Sequence, residues 1–315
     1  MEQISCILCG QPGEPRFEKA DKFPPHERFG IVRCASCGLE WVSPRPAASD
    51  LGRYYPETYS WKPEAEGAPS ALHRLEHAYR FHLLRYETRQ LLRLTDLVAN
   101  DAVLDVGCST GDRLLVMKEA GLAPAGVELG PAADFARERL GLDVRRGTLM
   151  EARFEESRFR AVTLYNVLEH VPDPREVLAE VRRVLEPGAW LAVQVPNTAS
   201  VQARWFGKRW AAMDVPRDLF YYSLPLLARL LEANGFEVTG VARRTSFWHP
   251  PTAAISLLPW CDPQRFWQAE AKGGRAGALV RRAVWGATTL AAAPAVWIES
   301  TLGLTAIPTT FARRK

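Results

Sequence analysis

Several things are missing or scarce in this chain of 315 residues, and each absence narrows what it can be. Charge of one sign is not in excess: 40 Lys+Arg stand against 36 Asp+Glu, and a net +4 is too balanced to argue for a nucleic-acid partner by itself. The start, Met1-Glu2-Gln3-Ile4, lacks a basic region followed by an apolar run. No signal peptide is therefore expected, and a cytoplasmic location is the default. The uncharged run from Ala283 to Ile298 is 16 residues long and contains Pro294, whereas a membrane span needs about 20 apolar residues. There is no G-x-G-x-x-G, which argues against a nicotinamide site. Cysteine is limited to six, and in a reducing compartment these read as metal ligands or free thiols rather than disulfides. The length allows one domain of ordinary size, with a sizeable core, plus appendages.

What is present is organised around Val103-Leu104-Asp105-Val106-Gly107-Cys108-Ser109-Thr110-Gly111. The mostly apolar start reads as a buried parallel strand, and the Gly-bounded turn leads into a helical pattern from Arg113 to Ala120. Glycine permits the tight turn and lets a ligand approach the backbone, while the first helical turn offers unpaired N–H groups. Asp105 at the strand end can accept from a cationic amine. The same residues also match the G-x-S-x-G nucleophile elbow, but that elbow should follow several strands and an oxyanion loop. Here a cysteine-rich segment and helices precede it. The companion Ala125-Gly126-Val127-Glu128-Leu129 reads as a second strand ending in an acid, about 20 residues on, where this architecture holds a ribose hydroxyl pair.

From Asp101 to Arg244 strand and helix patterns alternate, which implies a parallel sheet with right-handed crossovers. Strands are expected over Ala102–Gly107, Ala123–Glu128, Asp143–Arg146, Arg160–Tyr165, Trp190–Val195 and Glu237–Arg243. Helices are expected over Asp112–Ala120, Ala132–Leu140, Arg175–Leu185 and Leu224–Asn234, with Pro187-Gly188 and Asn234-Gly235 as turns. The fourth strand runs out into Asn166-Val167-Leu168-Glu169-His170-Val171-Pro172-Asp173-Pro174, so Asn166, Glu169 and His170 should face the rim where open parallel sheets bind ligands. An alternative has Glu169 capping the helix that opens near Asp173. Beyond the fifth strand, Arg204-Trp205-Phe206-Gly207-Lys208-Arg209-Trp210 and then Asp214, Arg217, Tyr221 and Tyr222 should wall an acceptor pocket. Aromatic faces beside cations suit sugars or phosphate-bearing acceptors, but also single-stranded nucleic acid, with a solvated basic face as the alternative to either.

Residues 1 to about 45 carry Cys6-x2-Cys9 and Cys34-x2-Cys37, each pair followed by Gly10 or Gly38. Two such pairs read as a structural four-thiolate zinc site, two disulfides being the alternative. The segment has few large apolar residues, so the metal would replace a core it cannot build. Cys108 and Cys261 read as buried thiols. Residues 46–100 hold an aromatic segment (Tyr54, Tyr55, Tyr59, Trp61) and a long helical pattern from Ala71 to Val98, with Leu72, Leu75, Tyr79, Leu83, Tyr86 and Leu91 on one stripe. His73 and His77 have the spacing of a metal pair but no third ligand, so they read as ordinary histidines. Residues 245–306 form an apolar helical insertion before a closing antiparallel strand, Ile307–Arg313. Within it 283–298, preceded by Arg275, Arg281 and Arg282, either lies in a membrane interface or forms a buried or homodimer-forming hairpin.

Asp105 to Gly111 resembles the first motif of class I S-adenosylmethionine-dependent methyltransferases, acid-x-Gly-x-Gly-x-Gly, with Ser109 in place of the middle Gly. Val167 to Pro174 resembles the family's V-L-E-H-V-x-D-P motif, and the two knuckles followed by Pro-x-Pro and Tyr-Tyr resemble zinc-ribbon members of the type 11/12/23-like group. The resemblance implies an α/β fold: a Rossmann-like, doubly wound, mostly parallel seven-stranded sheet in 101–315, behind an N-terminal zinc ribbon. It implies S-adenosyl-L-methionine held by Asp105, Gly107, Cys108, Ser109 and Gly111 at its methionine end and by Glu128 at its ribose. Leu129, Thr148 and Asn166 are expected as further cofactor contacts. Departures are visible. Gly147-Thr148-Leu149-Met150 stands where an adenine-binding acid is common, leaving backbone and apolar contacts. Asn166 stands where some quinone O-methyltransferases carry an acid proposed to help hold Mg²⁺, so no Mg²⁺ is expected. Asp218 stands where His is common. The expected reaction is methyl transfer to a small-molecule, sugar or lipid-linked glycan acceptor at oxygen or carbon, with His170 as first candidate base and Glu169 and Tyr221 behind it. An RNA methyltransferase is the alternative, although the Asn/Asp-Pro-Pro-aromatic motif and a catalytic Cys pair are absent. A scaffold without activity would be expected to have lost Asp105 or Glu128, and both remain.

Overall fold

The computed structural model describes residues 1–55, 71–243, 249–263 and 277–315. Tyr59, Trp61 and Arg275, and the side chains of Leu72, His73 and Leu75, lie outside the described residues. The larger of two sheets contains β4 (Ala102–Val106), β5 (Ala123–Glu128), β6 (Val144–Arg146), β7 (Phe159–Tyr165), β8 (Leu185–Gln194), β10 (Phe236–Ala242) and β11 (Thr309–Arg314). Their order is β10-β11-β8-β7-β4-β5-β6, seven strands among the described residues. β4 to β8 pair in parallel and β11 runs antiparallel between β8 and β10, as the sequence pattern led one to expect.

Successive side chains of the central strands enter opposite faces. Leu104, Val162, Leu191 and Val193 pack on one side with Val177, Leu178, Val181 and Val184 of α5 (Pro174–Val184). Val103, Ala161 and Trp190 pack on the other with Leu114 and Met117 of α2 (Asp112–Glu119) and Ala133 and Ala136 of α3 (Ala132–Leu140). Both faces being covered explains why these strands are near-continuous apolar runs rather than alternating ones.

Four expectations need correction. α1 (Ala71–Leu94) ends before Val98, where the Thr95 hydroxyl donates back to the Leu91 carbonyl and Asp101 accepts from Val98 N–H. Among its described side chains Phe81, Glu87, Thr88 and Leu91 are buried while Tyr79 is exposed, and the buried Glu87 pairs with Arg113. β8 starts at Leu185, so Pro187-Gly188 lies inside a strand, beside an irregularity in its pairing with β7, rather than in a turn. A short helix absent from the expected pattern, α4 (Leu149–Ala152), follows β6; its capping box, Thr148 with Glu151, is the signal that marks it.

The N-terminal segment builds the second sheet: β1 (Gly13–Ala20), β2 (Arg28–Cys34) and β3 (Glu40–Val42), all antiparallel. It does not close on itself, because β3 pairs with β9 (Phe220–Tyr221) from the C-terminal part of the chain. Arg45 donates to the Pro172 carbonyl, Arg175 to the Ile7 carbonyl and Lys19 to the Trp210 carbonyl, so the ribbon is bound along the rim of the larger sheet. α6 (Val201–Phe206) follows β8 and α7 (Leu224–Ala233) precedes β10. The insertion supplies α8 (His249–Leu257) and α9 (Ala278–Thr301), and α9 continues through Pro294. Among the described residues no helix is long and apolar enough to cross a membrane.

Candidate active site

The strand order reverses between β4 and β7, and a crevice opens at the carboxyl ends of strands where that happens. On the β4 side, Gly107 sits at φ +72°, and a Cβ there would meet Val167 Cγ2 at 2.6 Å, so the loops after β4 and β7 abut and position 107 needs glycine. Ser109, the residue in place of a glycine, also takes a positive φ of 49°, and its N–H donates to Glu128 Oε2 at 3.0 Å. Glu128 Oε1 accepts from Gly130 N–H at 2.9 Å. The carboxylate at the end of β5 thus ties down the loop that ends β4. Leu129 beside it is 67% exposed, an apolar side chain with space over it.

Asp105 is nearly fully buried under this loop and accepts from the Thr163 hydroxyl at 2.5 Å. Burial raises its pKa to about 6, against the pull of Arg113, and Glu128 and Glu87 add to the rise. Arg113 pairs with Glu87 at 2.8 Å and lies over the Tyr165 ring at 3.7 Å. The Cys108 thiol is buried in the packing against Gly126 and Leu114, so only the backbone of this residue faces the loop. The Thr148 hydroxyl is engaged with Glu151 in the capping box of α4. Asn166, at φ +54°, donates from Nδ2 to Gln194 Oε1 at 3.3 Å.

On the β7 side, Glu169 and His170 meet Asp218. His170 Nδ1 lies 3.0 Å from the Arg217 carbonyl and 3.2 Å from Asp218 Oδ1, so that nitrogen carries the proton and Nε2 is left for a reacting group. Burial lowers the His170 pKa, but Glu169 and Asp218 together outweigh it and hold it above its ordinary value. Burial pushes both carboxyl groups up, each partly offset by His170. Glu169 is buried and its Oε2 has no hydrogen-bond partner among the described residues. It does not cap a helix: Asp173 caps α5 by accepting from Arg175 and Glu176 N–H. Its carbonyl instead accepts from Leu219 N–H at 2.7 Å, which anchors the motif to the strand that pairs with the ribbon. Tyr55 meets the His170 ring edge-on at 6.4 Å.

Tyr221 is buried among Trp210, Met213 and Ile31, with no partner for its hydroxyl among the described residues. Burial and then Asp218 and Asp214 push its pKa well above the ordinary value. Asp218 had been marked in the sequence only as a departure, yet it completes a three-group cluster. Donor atoms of Glu169, His170 and Asp218 lie within 4.8 Å of one another, a set able to hold a divalent cation. Composition had no means of joining residues almost fifty positions apart.

The four ribbon cysteines converge with all Sγ atoms within 4.8 Å of one another. Cys6 to Cys37 and Cys9 to Cys34 are each 3.4 Å apart, too far for disulfides and near the roughly 3.8 Å edge of a tetrahedron of thiolates around Zn²⁺. Gly10 and Gly38, at φ +74° and +82°, donate back to the carbonyls of Cys6 and Cys34, the turn each knuckle requires. The donor set therefore fits a zinc ion with no open position. His77, by contrast, is stacked on Phe81 at 4.3 Å. A hollow lined by Ala102, Lys118, Leu122 and Phe159 opens at the amino ends of the strands, away from this chemistry.

A family model described as a methyltransferase domain matches residues 75–241, more than half of the chain. A ubiquinone biosynthesis O-methyltransferase of Hahella chejuensis is 40% identical over 102 residues, covering 30% of this chain and 43% of that one. An uncharacterized protein of Mycobacterium tuberculosis is 32% identical over 187 residues, covering 50% of this chain and 64% of that one. The chain thus spans about half the length of the curated relatives it matches. The crystal structure of the cyclase SpnF is similar with a TM-score of 0.48 at 20% identity, covering 81% of this chain and 85% of that one.

Proposed function

The chain belongs to the methyltransferase-domain family, and on that premise we propose that it is an S-adenosylmethionine-dependent enzyme that methylates an oxygen of a small-molecule acceptor. The observation that carries this reading is the pair of groups at one strand-order reversal: the Glu128-tied loop on one lip and His170 with its two carboxyl neighbours on the other. Glu128 would hold the ribose hydroxyls with the lone pairs left beside its two backbone bonds, and the exposed Leu129 face would cover the adenine. The backbone of Gly107 to Gly111 would meet the methionine end, with Asp105 beneath it supporting the loop. When bound, the cofactor supplies an electrophilic methyl group on a sulfonium.

The chain's own part is to hold the acceptor oxygen in line and take its proton. His170 Nε2 accepts that proton while Nδ1–H stays on the Arg217 carbonyl, and Asp218 stabilises the imidazolium that forms. Glu169, whose pKa burial raises, offers Oε2 to a polar group of the acceptor. The four ribbon thiolates would hold a structural zinc ion that takes no part in the reaction. Relatives named for quinone biosynthesis favour a small quinone-like acceptor over RNA. A second reading rests on the unpartnered Glu169 oxygen: the same three groups would hold Mg²⁺ or Mn²⁺, which would bind the acceptor oxygen. Activity lost on brief EDTA treatment and restored by Mg²⁺ would select it. The test of the main reading is calorimetry with S-adenosylhomocysteine. Wild type should bind and Glu128→Ala should not; undiminished affinity would refute the assignment.

A further inference from the structure

His170 Nδ1 faces two acceptors from one short segment, the Arg217 carbonyl at 3.0 Å and Asp218 Oδ1 at 3.2 Å. That segment is a turn ahead of β9, so no helix or sheet ladder sets its direction. It closes on itself instead: Asp218 N–H donates to the Asp214 carbonyl at 2.8 Å, and Asp214 N–H to Asp218 Oδ2 at 2.8 Å. One oxygen of Asp218 is thus tied to the turn while the other meets the imidazole.

The turn is held in place by the Arg217 side chain, which enters a socket built by the ribbon. Asp21 directly follows β1, and the ribbon's own turn presets it. Phe23 N–H donates to Asp21 Oδ1 at 3.0 Å, and Asp21 N–H to the Glu27 carbonyl at 2.8 Å. The guanidinium lies over the Phe23 ring, 4.8 Å from its centroid, and donates to both Asp21 oxygens at 2.6 and 3.2 Å. It also donates to both oxygens of Asp214 and to the Tyr54 carbonyl. Arg217 is fully buried, and Asp21 and Phe23 are nearly so.

A buried cation between carboxylates is a costly way to hold two elements together, since an apolar contact of similar volume would do so without desolvating charge. What the apolar contact lacks is direction. A planar fork bonded along both edges fixes the orientation of residue 217 as well as its position, and with it the peptide whose carbonyl meets His170. That orientation matters to the chemistry. For Nε2 to take a proton, the neutral ring must carry its hydrogen on Nδ1, and an imidazole without such partners carries it on either nitrogen.

We propose that Asp21 and Arg217 are positioning residues: through the guanidinium, the ribbon's first turn orients the Arg217 carbonyl and Asp218 so that His170 keeps its hydrogen on Nδ1. The inference rests on His170 being the base in methyl transfer. It makes the ribbon part of the construction of the active site rather than a module beside it.

The experiment reads the tautomer directly, in the full zinc-loaded chain carrying isotope-labelled histidine. A long-range proton–nitrogen correlation spectrum at about pH 9, where the ring is neutral, reports each histidine's tautomer from its two nitrogen shifts. The His170 signals are those missing from His170→Gln. Wild type should show His170 with its hydrogen on Nδ1. Asp21→Asn is isosteric but sets an amide N–H₂ against the guanidinium, and Arg217→Lys has no planar fork to span both carboxylates. Both should lose the wild-type signature to a mixture or to Nε2–H. Ile31→Val thins the ribbon's buried core without touching these bonds and should keep it. Circular dichroism identifies the folded variants; should Arg217→Lys not fold, Asp21→Asn decides alone. The proposal is overturned if the wild-type hydrogen sits on Nε2, if a folded variant at 21 or 217 keeps the wild-type signature, or if Ile31→Val loses it too. Calorimetry of wild type with S-adenosylhomocysteine tests the cofactor reading separately: no binding there would sink methyl transfer and leave the tautomer result standing.

Discussion

Replacing Arg217 by Met removes the guanidinium that joins the ribbon to the catalytic rim. Arg217 is fully buried; it bonds Asp21 at 2.6 and 3.2 Å, Asp214 at 2.7 and 3.0 Å, and the Tyr54 carbonyl at 2.7 Å. Asp214 keeps Lys22 at 2.9 Å, but Asp21, itself buried, loses its only cation among the described residues. An uncompensated buried charge of this kind costs about 3–5 kcal/mol. At about 2–4 °C per kcal/mol for a domain of this size, the melting temperature should fall by roughly 6–20 °C in thermal circular dichroism at pH 7. Asp21→Asn in the same chain should recover part of that loss, because the orphaned charge is gone. A double-mutant cycle should then give coupling above about 1 kcal/mol. A loss below about 1 kcal/mol, or additive single changes, would refute the claim that this ion pair binds the ribbon to the sheet.

Cys34→Ser should leave less than one zinc per chain by elemental analysis and loosen 1–45 to protease, since three thiolates close the site poorly. Asp105 has a folded pKa near 6, above its ordinary 3.8, because burial disfavours the charged form. The folded state therefore holds the proton longer, and stability should fall as pH rises from about 4 to 6 and stay lower above it. Urea midpoints at pH 4 and 7.5 should show a larger drop in wild type than in Asp105→Asn, where the raised Glu169 and Asp218 still contribute. Because Glu169 and Asp218 raise His170 above 6.5, the rate of methyl transfer should climb with pH with a midpoint above 6.5. His170→Ala should abolish that limb, and an unchanged profile would remove His170 from the base role.

Much of the fold could be read along the chain because each signal is local. Apolar runs placed β4, β5 and β7 within a residue or two, and the spacing of Cys6, Cys9, Cys34 and Cys37 announced their convergence. Where the pattern misled, contacts from elsewhere in the chain were involved: Glu87 of α1 is buried against Arg113, and Pro187-Gly188 sits in the irregularity between the β7-paired Leu185 and Trp190.

The sequence by itself determined the loop at Gly107 and Gly111, the acid at Glu128 and the knuckles of the ribbon, since each depends on neighbours within a turn or a strand. Only the tertiary structure decided that Asp218 stands beside His170, that β9 completes the ribbon's sheet, and that Asp21 of the ribbon meets Arg217. The physical reason is range. Backbone conformation and side-chain periodicity are set over a few residues, whereas which carboxylate meets which imidazole follows from how strands and helices far apart in the chain bury their apolar sides together.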